Sequence, residues 1–135
     1  MDQVKVIELA RRWFAALNNH APVDQLVALL DPDGVEMKFP EATLTSENEF
    51  RAWYDTVTHT FFDQNHRIRQ IDVRIGETAA DVFVIVSWTA HTWEPPAAVS
   101  TRIDADAYQY WRVRSCADGK LVISRYEVAG MCENA

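Results

Sequence analysis

Cysteine, glycine and basic residues are all scarce in this chain, and each shortage closes off a class of function. Cys116 and Cys132 are the only two cysteines, too few for a disulfide scaffold. Cys116 falls at a strand end and Cys132 in a polar tail, and neither has the nearby His and Asn of a thiol nucleophile. Both are expected to be free thiols. The four glycines form no glycine-rich phosphate cradle, and no His-Glu-x-x-His, Gly-x-Ser-x-Gly or paired Cys-x-x-Cys motif occurs. Thirteen basic residues stand against twenty acidic ones, for a net charge of −7, and the basic ones are scattered. Sequence-independent nucleic-acid binding needs a basic face, so no nucleic-acid partner is expected, and the acid excess serves solubility. The longest apolar run, Val82–Val86, is far short of the ~20 residues of a membrane span. Met1–Lys5 leads straight into a helix without the layout of a signal peptide, so the expectation is a cytoplasmic protein with no membrane partner. A metal site needs three or four converging ligands. His20, His59, His66 and His91 lie in different elements without ligand spacing, so neither metal nor other cofactor is expected.

What is abundant is apolar and aromatic. A hydrophobic content of 48% with five tryptophans is well above that of disordered chains, and 135 residues have room for one domain, 1–135, with one core. In the first helix, Val4–Asn19, residues Ile7, Ala10, Phe14 and Leu17 form an apolar face with Trp13 beside it. Pro22 and Asp24 start a short second helix carrying Leu26, Val27, Leu29 and Leu30, which Asp31-Pro32-Asp33-Gly34 breaks. Val35–Phe39 alternates as a half-buried strand. Ser46-Glu47-Asn48-Glu49 fits a capping box opening a helix, Glu47–Phe62, with Phe50, Trp53, Tyr54, Val57 and Phe61 along one side. Core packing is the ordinary role of such rings, but Trp53 and Tyr54 carry polar handles that can face a cavity.

Four long strand-like stretches fill the second half: Asn65–Ile75, Ala80–Glu94, Val99–Ser115 and Lys120–Ala129. Turn chemistry separates them at Gly76-Glu77-Thr78, Pro95-Pro96 and Asp118-Gly119, so they read as an antiparallel meander. Gly130–Ala135 reads as a loose tail. A sheet that long must curl around the helices. The expected fold is therefore α+β: a conical barrel of a curved, mixed but mostly antiparallel sheet wrapped around the N-terminal helices, hollow at its open end. Phe83 and Ile85 make the second long strand apolar on both faces, and a strand apolar on both faces is covered on both. A homodimer through the outer sheet face is expected.

This order of elements resembles the nuclear transport factor 2 superfamily and, within it, the SnoaL-like and ketosteroid isomerase-like bacterial members. The local marks are Phe14–Asn18, the strand Val35–Phe39 ending in Pro40 with a helix soon after, and Gly119–Leu121 entering the last strand. The resemblance spans nearly the whole chain and implies a conical α+β barrel with a deep pocket and frequent dimerisation. It implies no single function, since isomerases, dehydratases, cyclases, epoxide hydrolases and non-catalytic binders share the fold. Two positions depart from the isomerase-like pattern. Phe39 precedes Pro40 where those members place a proton-abstracting Asp, and Trp13 stands where their first helix offers a Tyr to a developing oxyanion. Glu41 is either a replacement carboxylate or a solvated loop residue.

The pocket is expected to be lined by Trp13, Leu17, Phe39, Trp53, Tyr54, His66, Trp88 and Trp111. Such walls suit a small apolar or aromatic ligand, flat or cyclic. His66, where the long helix hands over to the sheet, is the first candidate for proton transfer, with Tyr54 or Asp104 assisting; a structural hydrogen bond fixing that corner is its other role. By alternation His91 faces outward, and His20 and His59 read as solvated. In Val99–Ser115, Arg102, Asp104, Asp106, Tyr108, Tyr110 and Arg112 alternate with Ile103, Ala105, Ala107, Gln109, Trp111 and Val113. Either the charged set is an outer face, or a bulge near Ala105 brings Asp104 or Tyr108 inside, as a base of raised pKa or a ligand contact. Two readings of function stay open: cofactor-free acid/base chemistry, of isomerase, cyclase, dehydratase or hydrolase type, and a binding or assembly module without turnover.

Overall fold

The computed structural model describes residues 1–134. Helix α1 (Gln3–Asn18) begins at Asp2, whose carboxylate accepts the Lys5 amide at 2.9 Å, as an N-cap requires. Its buried stripe is Val6, Leu9, Ala10, Trp13, Phe14 and Leu17. Ile7, expected at its centre, is only half-buried, so the stripe is turned toward Val6 and Leu9. Helix α2 (Val23–Val27) stops before Leu29 and Leu30, which are buried in the turn that follows. There the Leu29 carbonyl and the Asp31 amide bond to the backbone of Ile123 at 2.8 and 2.9 Å. Pairing with a distant strand outcompetes another helical turn.

Strand β1 (Glu36–Lys38) folds back as a short hairpin onto β2 (Thr43–Leu44), a strand the sequence did not suggest. Helix α3 (Glu47–Thr60) has the expected cap, with Ser46 Oγ accepting the Glu49 amide at 3.1 Å. Glu49 reaches back one residue further than a capping box, accepting from both the amide and the hydroxyl of Thr45. The long strands are β3 (Phe62–Ile75), β4 (Ala79–Thr92), β5 (Thr101–Ser115) and β6 (Leu121–Glu133). The sheet runs β2-β1-β6-β5-β4-β3. Only β1 against β6 is parallel, so the sheet is mixed and mostly antiparallel. It curves over the helices and stays open at β2 and β3 rather than closing.

The loose tail is corrected. Met131 pairs with Ala107 and Glu133 with Ala105, and Asn134 donates from its backbone to the Asp104 carbonyl and from its side chain to the Asp104 carboxylate, both at 2.9 Å. Small and polar side chains concealed this, because a ladder is held by backbone groups. Ala135 lies outside the described residues.

Register shifts interrupt β3 between Phe62 and Asn65 and again between Ile68 and Gln70, and β6 opposite Tyr108/Gln109 and Arg112/Val113. Such bulges bend a sheet and strengthen its twist. Between β4 and β5 the pairing is unbroken from Ala79↔Arg114 to Thr92↔Thr101. With no bulge in that ladder, β5 keeps one alternation: Ala105, Ala107, Gln109, Trp111 and Val113 are buried, while Tyr108, Tyr110 and Arg112 are exposed; Asp106 in the outer row is also buried, paired with Arg69. The inner set packs with Trp13, Phe14, Phe50 and Met37 into the core. Away from the cavity, Arg114 binds the buried Asp31 carboxylate and, at 2.8 Å, Asp33, tying β5 to the turn after α2.

Candidate active site

An apolar cavity of about 500 Å³ lies between α3, the turn after β1 and the inner face of the long strands. It is within the size range of small-molecule sites. Its walls include Leu17, Phe39, Trp53, Val57, Phe61, Val86, Trp88, Ile103, Ala107, Val128 and Met131. Phe39 and Trp53 stack at 4.1 Å between centroids, and Phe61 meets Trp88 edge-on at 5.1 Å. The Trp53 indole N–H reaches Glu41 Oε1 at 3.4 Å, which places Glu41 at the rim. Grooves of comparable size lie around Tyr110 and Arg112 on the outer face, lined mostly by charged residues, and beside Cys116 and Asp118, where Val27, Leu30, Val35 and Val122 meet Asp31 and Glu47.

Polar groups enter this apolar space from only a few positions. His66 is held by Asn18, the last residue of α1. Asn18 Oδ1 accepts the His66 backbone amide at 2.6 Å and contacts its Nδ1 at 2.8 Å. An oxygen that already accepts the amide meets a ring nitrogen within bonding distance only if that nitrogen carries hydrogen. The neutral ring is therefore the Nδ1–H tautomer, with the Nε2 lone pair unprotonated. Phe14 stacks on the imidazole at 5.5 Å and Trp88 at 6.3 Å. Burial between these rings, with His20 as a nearby like charge, lowers the His66 pKa from 6.5 to about 4. Desolvation disfavours the charged form, so His66 is neutral at physiological pH.

A second chain of contacts backs the first. Gln64 Oε1 accepts the Trp88 indole N–H at 3.1 Å, which leaves its amide nitrogen facing His20 Nε2 at 2.9 Å. His20, expected to be solvated, is instead half-buried with a left-handed backbone at φ 47°. Tyr126 stacks on Trp111 at 5.0 Å, and its hydroxyl oxygen accepts the Trp13 indole N–H at 3.4 Å. Burial pushes the Tyr126 phenol well above its ordinary pKa, so it stays protonated. Gln109 Oε1 accepts the Trp111 indole N–H at 3.0 Å.

The sequence-selected residues divide into three groups. Leu17, Phe39, Trp53, His66 and Trp88 line the cavity. Trp13 and Trp111 stand one layer behind, in contact with Tyr126. Tyr54 does not line the cavity: its hydroxyl donates to the Ala21 carbonyl at 2.6 Å, fixing α3 to the turn after α1. Asp104 and Tyr108 also lie outside, because β5 keeps its parity. Asp104 accepts from Asn134 and pairs with Arg102 at 3.2 Å, and these partners hold its carboxyl below the usual range. That is the opposite of the raised pKa expected for a buried base. Tyr108 is exposed. His91 faces outward, stacked on Phe62 at 5.6 Å, and His59 is exposed against Asp55.

Sequence reasoning missed Asn18, Gln64, Gln109 and Tyr126. Gln109 carried a usable signal, being the one amide in the apolar set of its strand. Asn18 and Gln64 gave none, since their partners lie 48 and 44 residues away.

Among the described residues no group of His, Cys, Asp and Glu is arranged to hold a metal ion, and no helix is long and apolar enough to cross a membrane. No curated protein matches the chain. Solved structures do resemble it. One is a ketosteroid isomerase-like protein from Erwinia carotovora atroseptica, 19% identical, with a TM-score of 0.75 over 98% of this chain and 95% of that one. Another, from Nostoc punctiforme with a cystatin-like fold, is 16% identical, with a TM-score of 0.76 over 94% and 89%. A third, from Streptomyces avermitilis and of the NTF2-like family, is 14% identical, with a TM-score of 0.74 over 93% and 94%. At these identities the likeness is one of fold. The SnoaL-like domain model matches residues 10–128, most of the chain, and the protein belongs to that family.

Proposed function

We propose that this single-domain protein binds a small cyclic, mainly apolar organic molecule in the cavity and moves a proton on it without a cofactor. The observation that carries the reading is His66. A neutral imidazole lines an apolar cavity, and Asn18 fixes its tautomer so that Nε2 is the basic nitrogen. A base positioned within reach of a bound ligand is what general base catalysis requires. His66 takes the proton; Tyr54 and Asp104, expected to assist, have no part in this proposal, because both lie off the cavity. Ligand contacts are assigned to Leu17, Phe39, Trp53 and Trp88, with Trp13 and Trp111 supporting the wall.

The second reading, a binding module without turnover, is favoured by one observation. Burial brings His66 to a pKa of about 4, which makes it a weak proton acceptor. The same experiment separates the two. Polyketide-like, steroid-like and terpenoid-like compounds are screened by thermal shift, and each stabilising compound is followed by NMR in D₂O for hydrogen exchange or conversion. His66→Ala should keep the thermal shift and abolish exchange. Binding without exchange in the wild type supports the module, and equal loss of binding and exchange in the variant overturns the acid/base role.

The outer face of the sheet is assigned to a second copy of the chain. Phe83 and Tyr110 pack together there at 5.1 Å, with Tyr110 half exposed and Ile85 and Tyr108 in the next row. An apolar strip of this kind on a sheet face is what a partner covers. A strictly monomeric mass at micromolar concentration would overturn the dimer.

A further inference from the structure

Among the described residues, two that lack glycine's freedom hold left-handed backbone, His20 at φ 47° and Asp63 at φ 51°, and they flank one contact. His20 ends α1 as the left-handed residue of a Schellman motif. Its amide bonds the Leu17 carbonyl at 3.2 Å, and the Ala21 amide bonds the Ala16 carbonyl at 3.0 Å. Glycine is the usual occupant of that position. Asp63 sits in the bulge that opens β3, just before Gln64, which is buried and lines the cavity. Strain of this kind gathers where a side chain has a task, and Gln64 has one. Its Oε1 accepts the Trp88 indole N–H at 3.1 Å, and its Nε2 meets His20 Nε2 at 2.9 Å. An indole nitrogen only donates, so Trp88 fixes the amide with its oxygen toward the ring. The NH₂ end can then bond His20 only if that imidazole nitrogen is a bare acceptor. With His20 neutral, every bond in the chain is satisfied. With His20 protonated, two donors compete for one amide oxygen.

We propose that His20, Gln64 and Trp88 form a proton-operated latch on the cavity wall, which holds Trp88 while His20 is neutral and releases it when His20 is protonated. A charged donor binds an amide oxygen more strongly than a neutral one, so the imidazolium takes Gln64 Oε1 and the amide turns its NH₂ to the indole. Two donors then face each other. A donor left without a partner is costly, so the Trp88 ring shifts from its place against Phe61, which it meets edge-on at 5.1 Å. The backbone does not yield first, because the Schellman bonds hold His20 and the Tyr54 hydroxyl holds the Ala21 carbonyl at 2.6 Å. The C-terminal end of α1 favours a cation at His20. On β3, His66 acts on it as a like charge and Asp63 adjoins Gln64; α3 brings the Tyr54 phenol. None of the ion pairs among the described residues includes His20, so no carboxylate keeps it charged. Imidazole is the side chain that changes charge between about pH 5 and 8. The latch is closed on the alkaline side and opens as pH falls. It acts on affinity, and with ligand saturating the rate keeps the His66 profile. That effect on ligands rests on the cavity being the ligand site, as proposed above; the latch itself does not.

Indole N–H resonances of the intact protein, followed without ligand from about pH 8 to about pH 5, test the latch directly. Trp88 is identified by the signal missing in Trp88→Phe, and the His20 ring by triple-resonance spectra. The Trp88 indole proton should move upfield as pH falls, as loss of a hydrogen bond requires, with the same midpoint as the His20 ring. The other four indoles should stay. His66, with its pKa at about 4, is neutral across this range. His20→Asn tolerates left-handed backbone and carries no charge; once its melting temperature shows it folded, it should lack the Trp88 titration. A stationary Trp88 signal, a midpoint different from that of the His20 ring, or the same titration in folded His20→Asn overturns the proposal, and the first two need no variant of His20. Affinity for N-phenyl-1-naphthylamine, a neutral apolar fluorophore, should be roughly fivefold weaker at the acid end, the worth of about one hydrogen bond, and constant in His20→Asn. A wild-type affinity that does not change with pH overturns the latch's control of the cavity. A titrating indole with no binding of the fluorophore at any pH sinks the cavity reading and leaves the latch standing.

Discussion

The two faces of β5 carry polar groups of different kinds, charged outward and neutral among rings inward, and put them to opposite uses. Outward, Asp104 pairs with Arg102 and Asn134, Asp106 with Arg69, and Arg112 with Asp81. Charges there meet charges; the Asp104 and Arg112 pairs lie near water and contribute little individually, while the Asp106 carboxylate is buried against Arg69. Inward, Gln109 and Trp111 present neutral polar atoms, each with a single partner, in contact with rings from α1 and β6. A charge near water tells little about chemistry, because solvent and counter-charges screen it. A neutral group among rings has its tautomer, direction and protonation fixed by the few atoms around it. The contrast between His66 and Asp104 is the sharpest form of this difference, and it can be attacked experimentally.

The largest expected effect falls on His66. General acid/base groups contribute about 10²–10⁴-fold, and His66→Ala should reduce turnover of an identified substrate by that factor while binding changes by less than about tenfold. The pH profile adds a check that a structural role would not produce. With the folded pKa at about 4, the basic form persists down to mildly acidic pH. The rate should therefore be flat from neutral to about pH 5 and half lost near pH 4. A rate falling through pH 6.5 would mean that the ring titrates as in water, and the enclosed site would be disproved.

Stability should follow His66 too, with the sign fixed by linkage. Its folded pKa lies below the unfolded value, so between about pH 6.5 and 4 the unfolded chain binds more protons. Stability falls as pH drops through that window, by about 3 kcal/mol over the whole of it, and does not change on this account above it. Denaturant melts of wild type and His66→Asn at pH 7 and pH 4.5 would measure the difference; parallel losses in both would place the acid sensitivity elsewhere. Asp31 is the next largest. Arg114 holds its carboxyl below the ordinary range, so its contribution is present above the unfolded carboxylate pKa and is lost as pH falls through the lower folded value. One partner of a buried pair is costly to remove, but Arg114 is partly exposed, so Asp31→Ala should cost about 2 kcal/mol in a chemical melt at pH 7.

These features were unequally legible in the sequence. The helices, the long strands and the hollow between them follow from periodicity and turn residues, because Val82, Val84, Val86 and Trp88 can face one way only if the strand is regular. The cavity-lining set was half legible for the same reason. Trp53 and Trp88 face inward by spacing, but Tyr54, one residue from Trp53, turns to the Ala21 carbonyl, which no local pattern announces. Parity of β5 was undecidable from its own residues. It depends on where the bulges fall, and they fall in β3 and β6, where Arg69, Ser124 and Ala129 interrupt the register. The polar partners that give His66 and Tyr126 their direction are joined across 48 and 113 residues. Their chemistry exists only once the chain has folded.

The smallest effect tests the comparison most directly. Asp104→Asn removes a charge while keeping an oxygen that can accept the Asn134 amide now donated to it at 2.9 Å. Because the side chain is on the outer face and paired in solvent, the substitution should change stability by less than about 0.5 kcal/mol and turnover by less than about twofold. Matched assays of this variant and His66→Ala, on one substrate at one pH, put the two faces on a common scale. If Asp104→Asn lost turnover to a comparable extent, the outer face would have to communicate with the cavity through the β5 backbone. The separation of the sheet into a chemical side and a solvated side would then fail.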